Sequence, residues 1–268
     1  MYKLLTLFEN LTYKRGLISG HGLSFLLDSP DAKILFDSGP SDALLNNAEI
    51  LGINLREIDF LVISHGHFDH TGGIPAFLSV NTKALIYMKE DALKEKYKGY
   101  DNNIGIPGGW ETGKDRIRFV TGIMEISPGI FIVPEIPISD DQDTHFKNFN
   151  LLESGNFKQD EFNDELFMSI RGKEQLHVIS GCSHRGISNI LKAAHNHFNS
   201  PIGVVAGGFH LLNSGEDFVK RIAKEFQILG VGRVEVSHCT GIDQYHFFRK
   251  YFPGKVFYNH AGKMVILQ

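Results

Sequence analysis

Short apolar runs, separated by turns and by stretches of helical periodicity, set the architecture of this chain. Leu4 to Phe8 reads as a first strand, and Gly22 to Leu27 with Ala32 to Phe36 reads as a hairpin turning at Asp28-Ser29-Pro30-Asp31. Asp42 to Leu51 alternates apolar and polar positions at helical spacing, and Gly52 closes it as a C-cap. The run Ile58 to Ile63 is too short for a helix and rich in β-formers, so it reads as a strand. Ile74 to Leu78 is helix-like, Ala84 to Tyr87 is a strand, and Lys89 to Lys96 reads as a charged helix. Ile117 to Val120, Ile130 to Val133 and Asn150 to Leu152 are expected as strands of a second half.

The last third repeats one unit three times, an apolar strand ending in a histidine-bearing turn and followed by a helix. The strand-and-turn segments are Leu176 to His184, Ile202 to His210 and Val234 to Gly241. The helices are Gly186 to His197, Glu216 to Leu229 and Asp243 to Tyr251. This order predicts an α/β protein in which helices cover mixed sheets, an αββα four-layer sandwich. Successive strand ends of such a sheet lie along one rim, so the three turns are expected to serve one site.

Residues 97–114 interrupt the periodicity with five glycines and the sole tryptophan. A loop of that length inside a domain is functional or disordered, and here it is read as a Gly-rich lid with Tyr100, Ile106 and Trp110 as substrate walls. Disorder or a subunit contact in a homo-oligomer is the competing reading. Ser139 to His145 is an acidic turn, read as a solvated loop because it lacks the glycine and terminal glutamate of a calcium loop.

Composition changes this picture little. The 268 residues are read as a single domain, since no Pro/Ser-rich linker divides them. A net charge of −4 argues against non-specific binding to nucleic acid. No apolar run reaches the length of a membrane span and the N-terminus lacks a signal-type apolar region, so a cytoplasmic protein is expected. Cys182 and Cys239 each stand near a histidine, which in a reducing compartment suits site chemistry better than a disulfide.

The densest chemistry lies in Ser64-His65-Gly66-His67-Phe68-Asp69-His70-Thr71-Gly72-Gly73, directly behind the Ile58 to Ile63 strand. Histidine and aspartate are the usual N and O ligands of zinc and other first-row metals. Only a turn lets four of them converge, because along a strand alternate side chains point apart. His65, His67, Asp69 and His70 are therefore candidate metal ligands. No Gly-x-Ser-x-Gly elbow offers a competing nucleophile. His21, His177, His195, His197, His246 and His260 are read as ordinary surface or core histidines.

The His-x-His-x-Asp-His pattern resembles the signature of the metallo-β-lactamase superfamily. With Gly181-Cys182-Ser183-His184-Arg185-Gly186-Ile187, Gly207-Gly208-Phe209-His210-Leu211 and His238-Cys239-Thr240-Gly241, the chain is similar to a branch of metal-dependent hydrolases in that superfamily. That branch includes the dihydropterin-methyl-ribofuranosylaminobenzene 5′-phosphate synthases. The resemblance implies the metallo-β-lactamase sandwich and two divalent transition-metal ions, zinc first, with iron, manganese or cobalt also accommodated. It implies that Asp69, His70 and His238 serve one ion and His65 and His67 the other. Cys182 stands where a bridging carboxylate is expected. The remaining ligand is left among His184, His210 and His145, in that order, because no Pro-Gly-His motif is present.

By the same resemblance Asp37, in Asp37-Ser38-Gly39, orients the metal loop from behind the ligands. Asp69 and His70 are the expected catalytic pair, acting with a metal-activated water on an ester, phosphoester or related bond of a small-molecule substrate. Transfer of a pterin-methyl group to an arylamine is an alternative, for which Trp110, Tyr100 and Arg185 are candidate substrate contacts. A non-catalytic metal-binding or redox-sensing protein using Cys182 and Cys239 is the other.

Overall fold

The expected hairpin forms where the apolar runs flank Asp28 to Asp31: Ser24–Asp28 pairs antiparallel with Lys33–Phe36, with Leu27 opposite Ile34 and Phe25 opposite Phe36. The computed structural model describes residues 1–268. The chain divides into two compact units, each assembled from separate stretches. Met1–Thr121, Phe146–Glu165 and His260–Ile266 make the first, and Gly122–His145, Leu166–Asn259 and Leu267–Gln268 the second.

The main sheet of the first unit has seven strands in the order Met264–Leu267, Tyr2–Phe8, Ser24–Asp28, Lys33–Phe36, Phe60–Val62, Leu85–Met88, Ile117–Phe119. Pairing is antiparallel from Tyr2–Phe8 to Lys33–Phe36 and parallel from there to Ile117–Phe119. Helices Ala43–Ile50 and Ile74–Val80 contribute Leu44, Ala48, Ile74 and Phe77 to a core shared with Leu35, Leu61 and Ile63. Full burial of such side chains stabilises by roughly 1.5–3 kcal/mol each. A second, four-stranded sheet pairs Asn156–Gln159, Phe149–Glu153, Glu95–Lys98 and Asn102–Asn103.

In the second unit the sheet runs Lys255–Tyr258, Arg233–Val236, Ile202–Gly207, Leu176–Ile179, Phe167–Arg171, Ile130–Val133, Met124–Ser127. The first four strands are parallel and the rest antiparallel. The three strand-turn-helix repeats form as expected, with helices Ile187–Phe198, Glu216–Ile228 and Ile242–Tyr251. Helix Glu216–Ile228 buries Val219, Ile222, Ala223 and Phe226, a three-four spacing that turns one stripe into a core with Val205, Val234 and Phe248. No helix is long and apolar enough to cross a membrane.

Four expectations need correction. Lys89 to Lys96 is not a helix: Glu90–Leu93 is a 3-10 turn and Glu95–Lys98 a strand, because Lys96 turns inward to two carboxylates instead of sharing a solvated charged face. Ile117–Phe119 and Phe149–Glu153 are strands but belong to the first unit, since long-range pairing decided what local pattern could not. The acidic turn is solvated only in part, with Ser139, Asp141 and Gln142 exposed. Asp143 is buried there, accepting from Ser188 N at 2.8 Å and from Ser188 Oγ, and so holds the start of helix Ile187–Phe198. The 97–114 segment is only partly irregular, because Tyr97 and Lys98 lie in a strand and Trp110–Arg116 is a 3-10 helix.

Candidate metal centre

Strand Phe60–Val62 ends at Ile63, and the chain then turns through Ser64 to His67 into the short helix Phe68–Thr71. Gly66 is required in this turn, because a Cβ there would fall on the carbonyl of Ala92. The backbone is tied on by Gly66 N donating to Asp164 Oδ2 at 2.7 Å and Phe68 N donating to Ile104 O at 2.9 Å. These constraints gather the histidines: ring centroids of His65 and His67 are 4.6 Å apart, and those of His65 and His70 are 4.3 Å apart. All three, with Asp69, are buried. Asp69 Oδ2 lies 3.6 Å from His70 Nε2.

Asp37 organises this set. It follows strand Lys33–Phe36 in a left-handed conformation, φ 58°, uncommon outside glycine and tolerated best by Asp and Asn. Its Oδ1 accepts from Ser64 N at 2.7 Å, and its Oδ2 accepts from Ser64 Oγ at 2.7 Å and from His70 Nδ1 at 2.6 Å. Since the carboxylate only accepts, His70 carries its proton on Nδ1. Ser64 Oγ has given its own hydrogen to Asp37, so its contact with His65 Nδ1 at 2.9 Å makes it the acceptor there. One buried carboxylate thus fixes both imidazoles with Nδ1 protonated, which makes Nε2 of each the nitrogen that could coordinate a metal. Burial, reinforced by the neighbouring His70 and His67 rings, holds His65 well below the ordinary imidazole range despite Asp69, so it is neutral at pH 7. Neutral imidazole is the form that binds metal.

The second unit gathers its own donors at the ends of three adjacent parallel strands. The turn after Leu176–Ile179 carries Cys182 and His184, the one after Ile202–Gly207 carries His210, and the one after Arg233–Val236 carries His238 and Cys239. The turns are stitched together: Gly208 N donates to Gly181 O at 2.9 Å, Ser183 Oγ to Gly208 O at 2.7 Å, and Phe209 N to Thr240 Oγ1 at 3.0 Å. Ser183, His210 and His238 all have positive φ, the conformational strain that concentrates at functional sites. Ligand atoms of Cys182, His210 and Cys239 lie within 4.8 Å of one another, and Gly208 lacks a side chain where a Cβ would strike Cys239 Sγ. The His184 and His210 ring centroids are 4.3 Å apart, and those of His145 and His210 are 5.0 Å apart.

Both donor sets suit a divalent transition-metal ion. Imidazole with carboxylate in the first unit accepts zinc, iron, manganese or cobalt, while the thiols of the second favour zinc and other soft ions.

The other expected site residues are placed differently. Trp110 packs against the apolar core of the first unit, and Tyr100 is exposed with its ring 5.3 Å from that of Phe157. Arg185 Nε donates to Ile136 O at 3.1 Å, tying down the chain that precedes the acidic turn. Two neighbours of these residues were missed. His21, read as ordinary, stands with Nε2 3.1 Å from Asp69 Oδ2 while remaining 58% exposed, and only its flanking glycines hinted at a close approach. Ser64 relays Asp37 to His65, which its place beside the motif could have suggested. Cys239, read as suited to site chemistry but given no ligand role, joins Cys182 and His210, a meeting that depends on strand order.

A family model described as the metallo-beta-lactamase superfamily matches residues 18–153. A 7,8-dihydropterin-6-methyl-4-(beta-D-ribofuranosyl)-aminobenzene-5'-phosphate synthase of Methanocaldococcus jannaschii is 30% identical over 290 residues, spanning 98% of this chain and 96% of that protein. Among solved structures, Tm1679, described as a metal-dependent hydrolase of the beta-lactamase superfamily, matches with a TM-score of 0.89 at 35% identity, covering 100% of this chain and 99% of that one. The metallo-beta-lactamase fold protein YhfI of Bacillus subtilis matches with a TM-score of 0.58 at 13% identity over 99% of this chain and 100% of that one, a likeness of fold alone.

Proposed function

The chain belongs to the metallo-β-lactamase superfamily, and on that premise we propose that it is a metal-dependent hydrolase working at a binuclear centre on an ester, phosphoester or related bond. In this reading His65, His67, Asp69 and His70 are the metal ligands of the first unit, and Cys182, His184, His210 and His238 are the candidate ligands of the second. Divalent ions held there would supply Lewis acidity and would bring the pKa of a coordinated water toward neutrality. The protein's part is to keep the ligand imidazoles neutral, to exclude water around them and to orient the reacting groups. Asp37 sets the Nε2 lone pairs of His65 and His70, and the Asp69 carboxylate, with His21 beside it, accepts and passes on a proton at its Oδ2. The observation that carries the reading is the bonding of Asp37 to Ser64 and His70, which supports coordination through Nε2 of both imidazoles.

The test is turnover of a phosphodiester, a lactone and an aryl ester by zinc-, manganese- or cobalt-loaded protein, beside His67→Ala and Asp69→Ala. Metal-dependent turnover that both variants lose, with their far-UV spectra unchanged, is expected; full turnover in either variant refutes the ligand assignment.

One observation favours a second reading. Identity of 30% to a protein named as a synthase, across nearly all of both chains, supports transfer between a pterin-methyl donor and an arylamine. Product formed from those two partners, with the simple esters untouched, selects that reading over hydrolysis.

A further inference from the structure

Behind the His65-Gly66-His67 turn lies a buried ionic cluster. Lys96, on strand Glu95–Lys98, is 1% exposed, and its Nζ donates to Asp160 Oδ2 at 2.7 Å and to Asp164 Oδ1 at 2.9 Å. The other oxygen of Asp164 accepts from Gly66 N at 2.7 Å, 98 residues away in sequence. Asp160 uses its second oxygen locally, on Phe162 N at 2.8 Å. Phe162 is fully buried at φ 51°, with its ring 5.3 Å from that of His67 and 5.3 Å from Lys96 Nζ. Burial works to lower the Lys96 ammonium, but Asp164 and Asp160 outweigh it and hold it charged above its ordinary value.

A buried ion pair is a poor source of stability, because the cost of desolvation offsets most of its attraction. It is a good source of fixed geometry. Gly66 sits between two proposed ligands, has no side chain to anchor it, and donates its one N–H to Asp164. The acceptor must itself be held, and the lysine holds it.

We infer that Asp164, clamped by Lys96, is a positioning residue that presets the His65-Gly66-His67 turn for metal. The inference rests on the reading of His65 and His67 as ligands. Asp160 completes the lysine's coordination without touching the turn, so the two carboxylates have different duties. Asp164 governs metal affinity, and Asp160 the local fold.

The test is competitive titration of the metal-free protein with zinc, and with cobalt(II) followed by its visible ligand-field bands, for Asp164→Ala, Asp164→Asn, Asp160→Asn and His67→Ala. Asp164→Ala is expected to bind about 10–100-fold more weakly with altered cobalt bands, the usual effect of losing a group that orients ligands. Asp164→Asn keeps an acceptor for Gly66 N but turns its NH₂ toward the Lys96 ammonium, so the turn stays tied while its clamp is lost; a loss smaller than that of Asp164→Ala is expected, with Asp160→Asn staying near wild type. Wild-type affinity in Asp164→Ala, or an equal loss in Asp164→Asn or Asp160→Asn, overturns the positioning role. Should Asp164→Ala fail to fold, Lys96→Met/Asp160→Asn/Asp164→Leu, which removes the buried charges together, replaces it with the same two outcomes. Wild-type affinity and spectrum in His67→Ala overturns the ligand reading itself, which separates the two failures.

Discussion

Asp37→Asn isolates the device on which the first donor set depends. The amide keeps the shape of the carboxylate but offers one accepting oxygen in place of two. Three donors converge there, Ser64 N on one oxygen and Ser64 Oγ with His70 Nδ1 on the other. If the amide oxygen serves Ser64 N, its NH₂ faces the hydroxyl and the imidazole. His70 then relieves the clash by moving its proton to Nε2, the nitrogen needed for metal. Loss of such an orienting partner weakens metal binding about 10–100-fold, or about 1.4–2.8 kcal/mol at tenfold per 1.4. The assay is zinc competition against a chromophoric chelator, with thermal unfolding of the metal-free form as the companion measurement. Unchanged affinity, with only the unfolding temperature lowered, refutes the tautomer argument and leaves Asp37 a structural residue.

Gly66→Ala places a methyl group on the Ala92 carbonyl, and overpacking of that kind costs about 1–3 kcal/mol or more, read as a lower unfolding temperature even without metal. Cys182→Asp exchanges a soft donor for a hard one, so the ratio of zinc to manganese affinity is expected to fall; an unchanged ratio removes Cys182 from the ligand set. His177 accepts from Val204 N on Nδ1 and donates from Nε2 to Gln268 O, so it is held neutral, and burial lowers it from 6.5 despite the Gln268 contact. The unfolded chain therefore takes up this proton first as the pH falls, and stability present above pH 6.5 is lost below it, at no more than about 1.4 kcal/mol per unit for one group. Denaturant titrations at pH 7.5 and 5.5 should show a shallower dependence in His177→Gln; an unaltered dependence contradicts the assignment.

Elements whose burial stripe is written locally were legible in the chain. Helix Glu216–Ile228, the hairpin Ser24–Asp28 with Lys33–Phe36, and the three strand-turn-helix repeats follow from periodicity and turn residues. The convergence of His65, His67 and His70 was legible because the motif falls within six residues behind a strand. What escaped depended on partners distant in sequence. Lys96 looks like one more surface charge until Asp160 and Asp164 are brought to it. Asp143 reads as part of a solvated acidic turn until Ser188 takes up its carboxylate. The family resemblance, not local pattern, pointed to Asp37, whose bonds to Ser64 and His70 span 27 and 33 residues. Trp110, singled out by rarity in a glycine-rich stretch, proved to pack against a core, since rarity carries no information about direction.

The central claim is that this chain holds metal through the His65 to His70 loop. Elemental mass spectrometry of protein purified without added metal, beside His65→Ala/His67→Ala, tests it most directly. The account predicts about two transition-metal ions per chain, with loss of metal in the double variant. Absence of metal after reconstitution with zinc, manganese, iron(II) and cobalt, or equal metal content in the double variant, contradicts it.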